Sequence, residues 1–249
     1  TMSTILVDSI SDTAGTGSPS FPNGISGNGS ALTSLTSANL TGALPAIDGS
    51  ALTSLTSANL TGALPAIDGS ALTGVGGLQF ISSIDLSGEQ FADFTGFDSS
   101  LYDSYEFTLS NVTTSIDGSY LMMRTSSDGG STFDSGTGNY SFTHNWARST
   151  SNGADSSTTT TAIFFNVTGI GNAAGEDGAS GVVQVLGPHL PKRTRAIFHI
   201  IHTGTTGLMV NQLGTAERSS SADVDGIRFR LNLGFMTSGT ITMYGKVNS

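Results

Sequence analysis

Four histidines, nineteen carboxylates and no cysteine set the chemistry open to this chain of 249 residues. Without cysteine there is no thiolate nucleophile, thiolate metal site or disulfide. His199 and His202, in Ala196-Ile197-Phe198-His199-Ile200-Ile201-His202, stand three apart. On a strand that spacing sends them to opposite faces, so they are not expected to share an ion, as a His-x-His pair would. His144 alternates with Tyr140, Phe142 and Trp146. That row is either a stacking platform for sugar rings or a buried face. The buried face is the expectation, because Ser141, Thr143 and Asn145 supply a polar opposite side.

The carboxylates are scattered. Glycoside chemistry needs two acids held roughly 5 to 10 Å apart, and no spacing in the sequence brings together any two of Asp98, Asp103, Asp128, Asp134 and Asp155. The acidic stretch Glu89, Asp93 and Asp98 lacks the D-x-D-x-D-G spacing of a calcium loop and reads as a solvated loop. Ser126-Ser127-Asp128-Gly129-Gly130-Ser131-Thr132-Phe133 fits S-x-D-x-G-x-T-F, the Asp-box pattern that sialidases and other propellers repeat once per blade. Here it occurs once. Asp128 can accept hydrogen bonds from nearby backbone N–H groups and the two glycines permit positive φ, so a hairpin turn is expected and sialidase activity is not. Gly169-Ile170-Gly171-Asn172-Ala173-Ala174 has no following helix and reads as a turn rather than a dinucleotide loop. No G-x-S-x-G, H-E-x-x-H or G-x-x-x-x-G-K-[ST] occurs. The expectation is a non-enzymatic chain with no catalytic residue, no cofactor and no metal.

The elements that must position these residues are strands. Gly, Ser and Thr make up 103 of the 249 residues, and charged residues only 11%. Such a chain is poor in helix formers and in i, i+4 ion pairs. It is nevertheless 37% hydrophobic with 13 Phe, enough to build a core. Residues 104–109, 139–146 and 226–233 alternate polar and apolar, the period of a half-buried strand. Further strands are expected over 119–124, 160–167, 182–186, 195–202, 208–213 and 240–247. Nine or ten short strands between Gly, Asn, Asp and Ser clusters predict an all-β sandwich or jelly roll over residues 78–249.

Residues 29–77 are different. GSALTSLTSANLTGALPAID at 29–48 recurs unchanged at 49–68, and a third copy starts at Gly69 before giving way to Gly74-Val75-Gly76-Gly77. Each unit carries Leu32, Leu35, Leu40, Leu44 and Ile47, or Leu52, Leu55, Leu60, Leu64 and Ile67, at spacings that match neither period 2 nor period 3.6. Pro45 stops any helix. Two and a bit copies cannot form a one-chain solenoid, which needs about three or more repeats and caps. Three parallel chains could turn these leucines inward and the Ser, Thr and Asn outward, giving a shaft of up to ~130 Å at full extension. The alternative is a flexible linker, which has no need of leucine at fixed positions.

Charge divides the chain as well. Residues 1–123 hold eleven acids and no base, and residues 124–249 hold nine bases and eight acids, so the formal −10 belongs to the N-terminal half. With no basic patch in prospect, nucleic acid and membrane surfaces are not expected as partners. No run approaches 18 apolar residues. Thr1 to Asp8 lack the basic and apolar regions of a secretory signal, so a route outside the cell other than secretion is expected.

Three places carry a family likeness: Ile5-Leu6-Val7-Asp8-Ser9-Ile10, the GSALTSLTSANLTGALPAIDG units, and Ser238-Gly239-Thr240-Ile241-Thr242-Met243-Tyr244-Gly245. With DSYEFTLSNV and LMMRTSSDGGSTF between Asp103 and Phe133, the chain resembles bacteriophage tail-fibre and virion appendage proteins over nearly its whole length. The resemblance implies a homotrimer located on the virion. Residues 1–28 would attach to a virion protein of the baseplate, tail or capsid, residues 29–77 would form the shaft, and residues 78–249 would be a distal β-domain meeting a host-surface glycan or protein. A capsid-decorating fibre without a receptor role, or a polysaccharide depolymerase, are the alternatives. Trp146 and Arg148 are the expected receptor contacts, since indole and guanidinium groups are enriched where proteins grip partners.

Overall fold

Alternation of large apolar and small polar residues builds two antiparallel sheets of unequal size. The computed structural model describes residues 77–166 and 168–247, all within the compact unit Asp68–Ser249. The expected attachment segment 1–28 and all ten expected shaft positions lie outside the described residues. Twelve strands follow: β1 (Leu78–Asp85), β2 (Phe91–Phe94), β3 (Tyr102–Val112), β4 (Leu121–Ser126), β5 (Tyr140–Arg148), β6 (Ser151–Thr160), β7 (Ile163–Phe164), β8 (Ala179–Leu186), β9 (Arg195–Thr203), β10 (Met209–Arg218), β11 (Gly226–Leu231) and β12 (Thr240–Val247). No helix occurs among the described residues. Eight strands form one sheet, in the order β1-β12-β3-β8-β9-β10-β5-β6, and four form the other, β2-β11-β4-β7.

The two sheets share one core. From the large sheet come Tyr105, Phe107, Leu109, Phe142, Val183, Val185, Phe198, Ile200, Ile241 and Met243; from the small one come Phe94, Leu121, Met123, Ile227, Phe229 and Leu231. Aromatic edges lock the layers. Phe107 of β3 meets Phe94 of β2 at 5.3 Å and Phe229 of β11 at 5.2 Å between ring centroids, and Phe165 bridges Phe198 at 5.1 Å to Phe229 at 6.0 Å. Such pairs add about 0.5 to 1.5 kcal/mol beyond area burial. Polar pins cross the layers too. The Tyr140 hydroxyl on β5 accepts from the Thr125 backbone N–H of β4 at 2.8 Å and donates to the Asp134 carbonyl at 3.1 Å.

The β1 and β12 strands join the two ends of the unit. Leu78 pairs with Lys246 and Asp85 with Thr240, while β12 pairs on its other side with β3. At the far edge β6 hydrogen-bonds only to β5.

Several expectations need correction. The strand expected over 160–167 is reduced to Ile163–Phe164, and the one over 119–124 is shifted to 121–126. Phe91–Phe94, expected within a solvated loop, is an edge strand paired to β11. Three strands, β1, β2 and β6, were not expected at all. The all-β expectation holds, in antiparallel sheets of eight and four strands. The physical reason for the three unexpected strands is local. A β-bulge between Phe80 and Ser82 breaks the alternation in β1, β2 has four residues, and β6 (SNGADSSTTT) carries no large apolar side chain.

Because Phe107 touches both partners across the interlayer gap and is fully buried, Phe107→Ala is expected to cost about 3 to 5 kcal/mol. Thr108→Ala, on the opposite face of the same strand, is expected to stay within about 0.5 kcal/mol. Urea unfolding of the two variants measures the difference.

Candidate functional site

The side chains singled out by sequence fall into four places. The Asp-box turn follows β4. Asp128 accepts hydrogen bonds from Ser126 Oγ at 2.7 Å, Thr132 N at 2.8 Å and Thr132 Oγ1 at 2.6 Å, while Gly130 N donates to Ser126 Oγ at 2.9 Å. Gly129 and Gly130 adopt φ of 70° and 84°, and a Cβ at Gly130 would come within 2.6 Å of Thr95, so both the turn and the close approach require glycine. Bonds from the Thr132 hydroxyl, then its backbone N–H, then Ser126 hold the Asp128 carboxyl down at about 2. A carboxylate so completely engaged closes a loop and is not poised to move protons.

The other acids are engaged separately. Asp98 accepts from Ser100 N and Oγ. Glu89 takes hydrogen bonds from the backbone N–H and hydroxyl of Ser87. Asp134 pairs with Arg218, whose guanidinium, almost fully buried, also reaches the carbonyls of Ala222 and Asp223. Asp155 lies opposite His144 across β6 and β5, and Asp103 is exposed on β3. Among the described residues no three His, Asp or Glu side chains converge on a point that could hold a metal ion.

The histidines divide as their spacing requires. His199 faces outward from β9, with Nε2 2.6 Å from Asn211 Oδ1. His202 faces inward, buried, with Nε2 3.0 Å from the Thr168 hydroxyl. His144 is buried as well, stacked on Phe142 at 5.4 Å and edge-on to Phe198 at 6.0 Å. Gly214, opposite His144 on β10, makes this possible: a Cβ there would lie 2.4 Å from the Phe198 ring and 2.5 Å from His144 Cβ. The row from Tyr140 to His144 is therefore an aromatic core face. Both ring nitrogens of His144, Nδ1 of His202 and Oε1 of the fully buried Gln212 have no hydrogen-bond partner among the described residues.

Trp146 and Arg148 do come together, at the β5–β6 end. The Arg148 guanidinium lies 5.0 Å from the indole, and its Nε donates to Ser151 Oγ at 2.9 Å. The indole covers Gly153, where a Cβ would stand 2.7 Å from the ring. Both side chains are half-buried, and much of their binding capacity is spent on each other and on β6.

Two surfaces went unread in the sequence. On the outer face of the large sheet, Leu186, Ile197, Ile201, Met209 and Leu213 are exposed, Met209 to 68% and Leu213 to 50%. A groove of about 570 Å³ runs there past Ser141, Thr143, Ser156, Ile197, Thr215 and the Arg195–Glu217 pair. The signal was β9 itself, whose Ile197 and Ile201 are apolar on the face opposite Phe198 and Ile200. On the outer face of the small sheet, Arg228 is gripped by both carboxylate oxygens of Asp93 at 2.7 and 2.6 Å and lies between the rings of Phe91 and Phe133. Here the alternation Ile227-Arg228-Phe229-Arg230-Leu231 was visible, but its partner strand β2 was not.

Comparison of the chain with protein-family models, curated proteins and solved structures finds no match.

The buried histidines give the fold an acid limit. Burial lowers both, His202 from 6.5 to about 4 with part of the shift offset by a hydrogen bond to Thr168, and His144 against the opposing charge of Asp155. An unfolded histidine takes its proton near 6.5, so the stability from the neutral buried ring is complete above that pH. It is lost as pH falls from about 6.5 through about 4. For His202 the loss is expected to reach about 3 kcal/mol. Urea midpoints at pH 7 and pH 4.5 should separate strongly in the wild type and less in His202→Leu.

Proposed function

We propose that the chain is a structural appendage of a bacteriophage particle: a trimeric tail fibre whose N-terminal residues attach to the virion, whose repeats form the shaft, and whose C-terminal β-unit is the tip that meets the host surface. One observation carries the self-association at the centre of this reading. Among the described residues twelve large hydrophobic side chains are exposed, and seven of them, Leu78, Phe80, Leu186, Ile197, Ile201, Met209 and Leu213, lie on the outer face of the eight-stranded sheet. Five of these, Leu186, Ile197, Ile201, Met209 and Leu213, neighbour one another on the adjacent strands β8, β9 and β10, and contiguous exposed apolar surface of this kind marks an interaction site.

The character of that face suits further copies of the same chain. On its central strands β8, β9, β10 and β5 the charged side chains are Arg195 and Glu217, which pair with each other. Burial of that part of the face would therefore strand no unpaired charge. In a chain of net charge −10 a neutral face is where identical copies repel least. The 76 residues that precede Gly77 bring the repeats, and they join the fold at β1, on the edge of this same sheet. Association through the leucine and isoleucine teeth of residues 29–68 would hold neighbouring tips at high effective concentration, so a weak contact between sheet faces suffices.

Light scattering of the full chain is expected to give about three times the 25.4 kDa chain mass. Changing Leu40 and Leu60 to Asp is expected to lower that mass or the melting temperature of the assembly. A monomer at micromolar concentration overturns the reading. Electron microscopy of labelled particles then separates a tail fibre from a capsid decoration, and intact host polysaccharide after incubation with the protein removes a depolymerase.

A further inference from the structure

The small sheet turns three of the nine basic side chains of the whole sequence to one face. Arg124 on β4 stands directly opposite Arg228 on β11, and Arg230 lies two residues further along the same strand, opposite Met122. Like charges directly across an antiparallel pair destabilise it, and one acid, Asp93 opposite Arg228 on β2, answers all three. The face therefore holds a net +2 in a chain whose total is −10.

Their hydrogen bonding is as unbalanced as their charge. Arg228 is satisfied: it grips Asp93 with two bonds and stacks 4.0 Å from the centre of Phe91 and 4.1 Å from that of Phe133. Arg124 and Arg230 spend only Nε on the protein, Arg124 donating to the Thr161 carbonyl and Arg230 to the Leu231 carbonyl, each at 3.1 Å. Their terminal amino groups have no partner among the described residues. Both side chains are half-buried, with Arg230 held 5.2 Å over Phe91. The crowding registers on Arg230, whose guanidinium is pushed below its ordinary value by burial and by the charges of Arg124 and Arg228. A packed rack of guanidinium forks is a preformed receptor for planar or tetrahedral oxyanions, which it can take two bonds at a time.

We infer that this face binds an acidic polysaccharide, its carboxylate or sulfate groups bridging Arg124 and Arg230. The inference rests on the tip reading above for its biological role, although the chemistry stands without it. A nucleic acid fits less well. The ring faces of Phe91 and Phe133 are taken by Arg228 and offer no platform for bases, and two free forks fall far short of the roughly six to ten phosphate contacts of a typical duplex binder. A polysaccharide with one acid per sugar or per disaccharide needs no more than the face supplies.

The test uses the full chain with three polymers: heparin as the sulfated probe, polygalacturonate as the carboxylated one, and dextran as the neutral control. Calorimetry is expected to show binding of at least one acidic polymer and none of dextran, weakening as salt rises. Arg124→Gln with Arg230→Gln is expected to weaken it about tenfold or more, while Lys192→Gln, an exposed base in the loop between β8 and β9, leaves it unchanged. Thermal melts keep the result independent of folding. Relief of like-charge crowding should leave the Arg124/Arg230 variant at least as stable as the wild type, and an acidic polymer should raise the melting temperature of the wild type but not of that variant. The inference is overturned if neither acidic polymer binds better than dextran, if the Lys192 variant is the one that loses binding, or if duplex DNA binds through Arg124 and Arg230 more tightly than either polysaccharide. A chain that is trimeric but fails to bind leaves the fibre reading standing and removes this one. A monomer that binds does the reverse.

Discussion

A sheet has two faces, and here eight strands must share the cover that four can give. The rings of Phe94, Phe107, Phe165, Phe198 and Phe229 seal the layer where the sheets overlap, and every other feature of the molecule follows from where that seal stops. Inside it, strands β3 and β12 alternate buried aromatic or aliphatic residues with outward polar ones, while β8 and β9 also turn Leu186, Ile197 and Ile201 outward. Along β5, β9 and β10 the inner face changes from Phe142, Phe198 and Ile200 to His144, Gln212 and His202. Polar groups without partners collect there, buried among the core rings. Histidine suits such a place: neutral, it packs like an aromatic ring, and its desolvation cost appears only when it takes a proton.

The loops between layers are held by fewer and stronger bonds. Arg218 reaches Asp134 at 2.6 Å and collects two backbone carbonyls from the segment that leads into β11. Tyr140 ties the start of β5 to the backbone of β4. A buried guanidinium is tolerable only when its donors are met, and here meeting them fixes the path of the Asp-box turn. That turn therefore works as a clamp in the wall of the sandwich, its Asp128 turned inward on Ser126 and Thr132.

The sequence revealed strands where a buried face forces period 2: YEFTL, NYSFTHNW and GIRFRL each declare themselves. It concealed the strands that cross nothing. Ser151–Thr160 is a strand because β5 offers it an open edge, and its side chains are exposed along most of its length. Leu78–Asp85 loses its alternation at the bulge after Phe80. The histidine spacing was decisive because one rule of geometry governs it. Trp146 and Arg148 were legible as neighbours, two apart on a strand, but their mutual stacking and the glycine beneath the indole were not. Surface faces are hardest of all to foresee. Arg124 and Arg228 are 104 positions apart in the sequence, and only the register of β4 on β11 sets them side by side.

The pairing of β1 with β12 carries a consequence for how such a molecule is made. Leu78 is threaded long before Lys246, yet the two are partners, and β12 is also the sole link between β1 and β3. During synthesis the first strand must wait, solvated and unpaired, until the last has left the ribosome. Contacts of such long range close slowly and expose sticky intermediates meanwhile. The bulge after Phe80 and the polar Ser82, Ser83 and Asp85 blunt that waiting edge against pairing with other chains, so the irregularity that hides the strand from pattern reading is also what protects it.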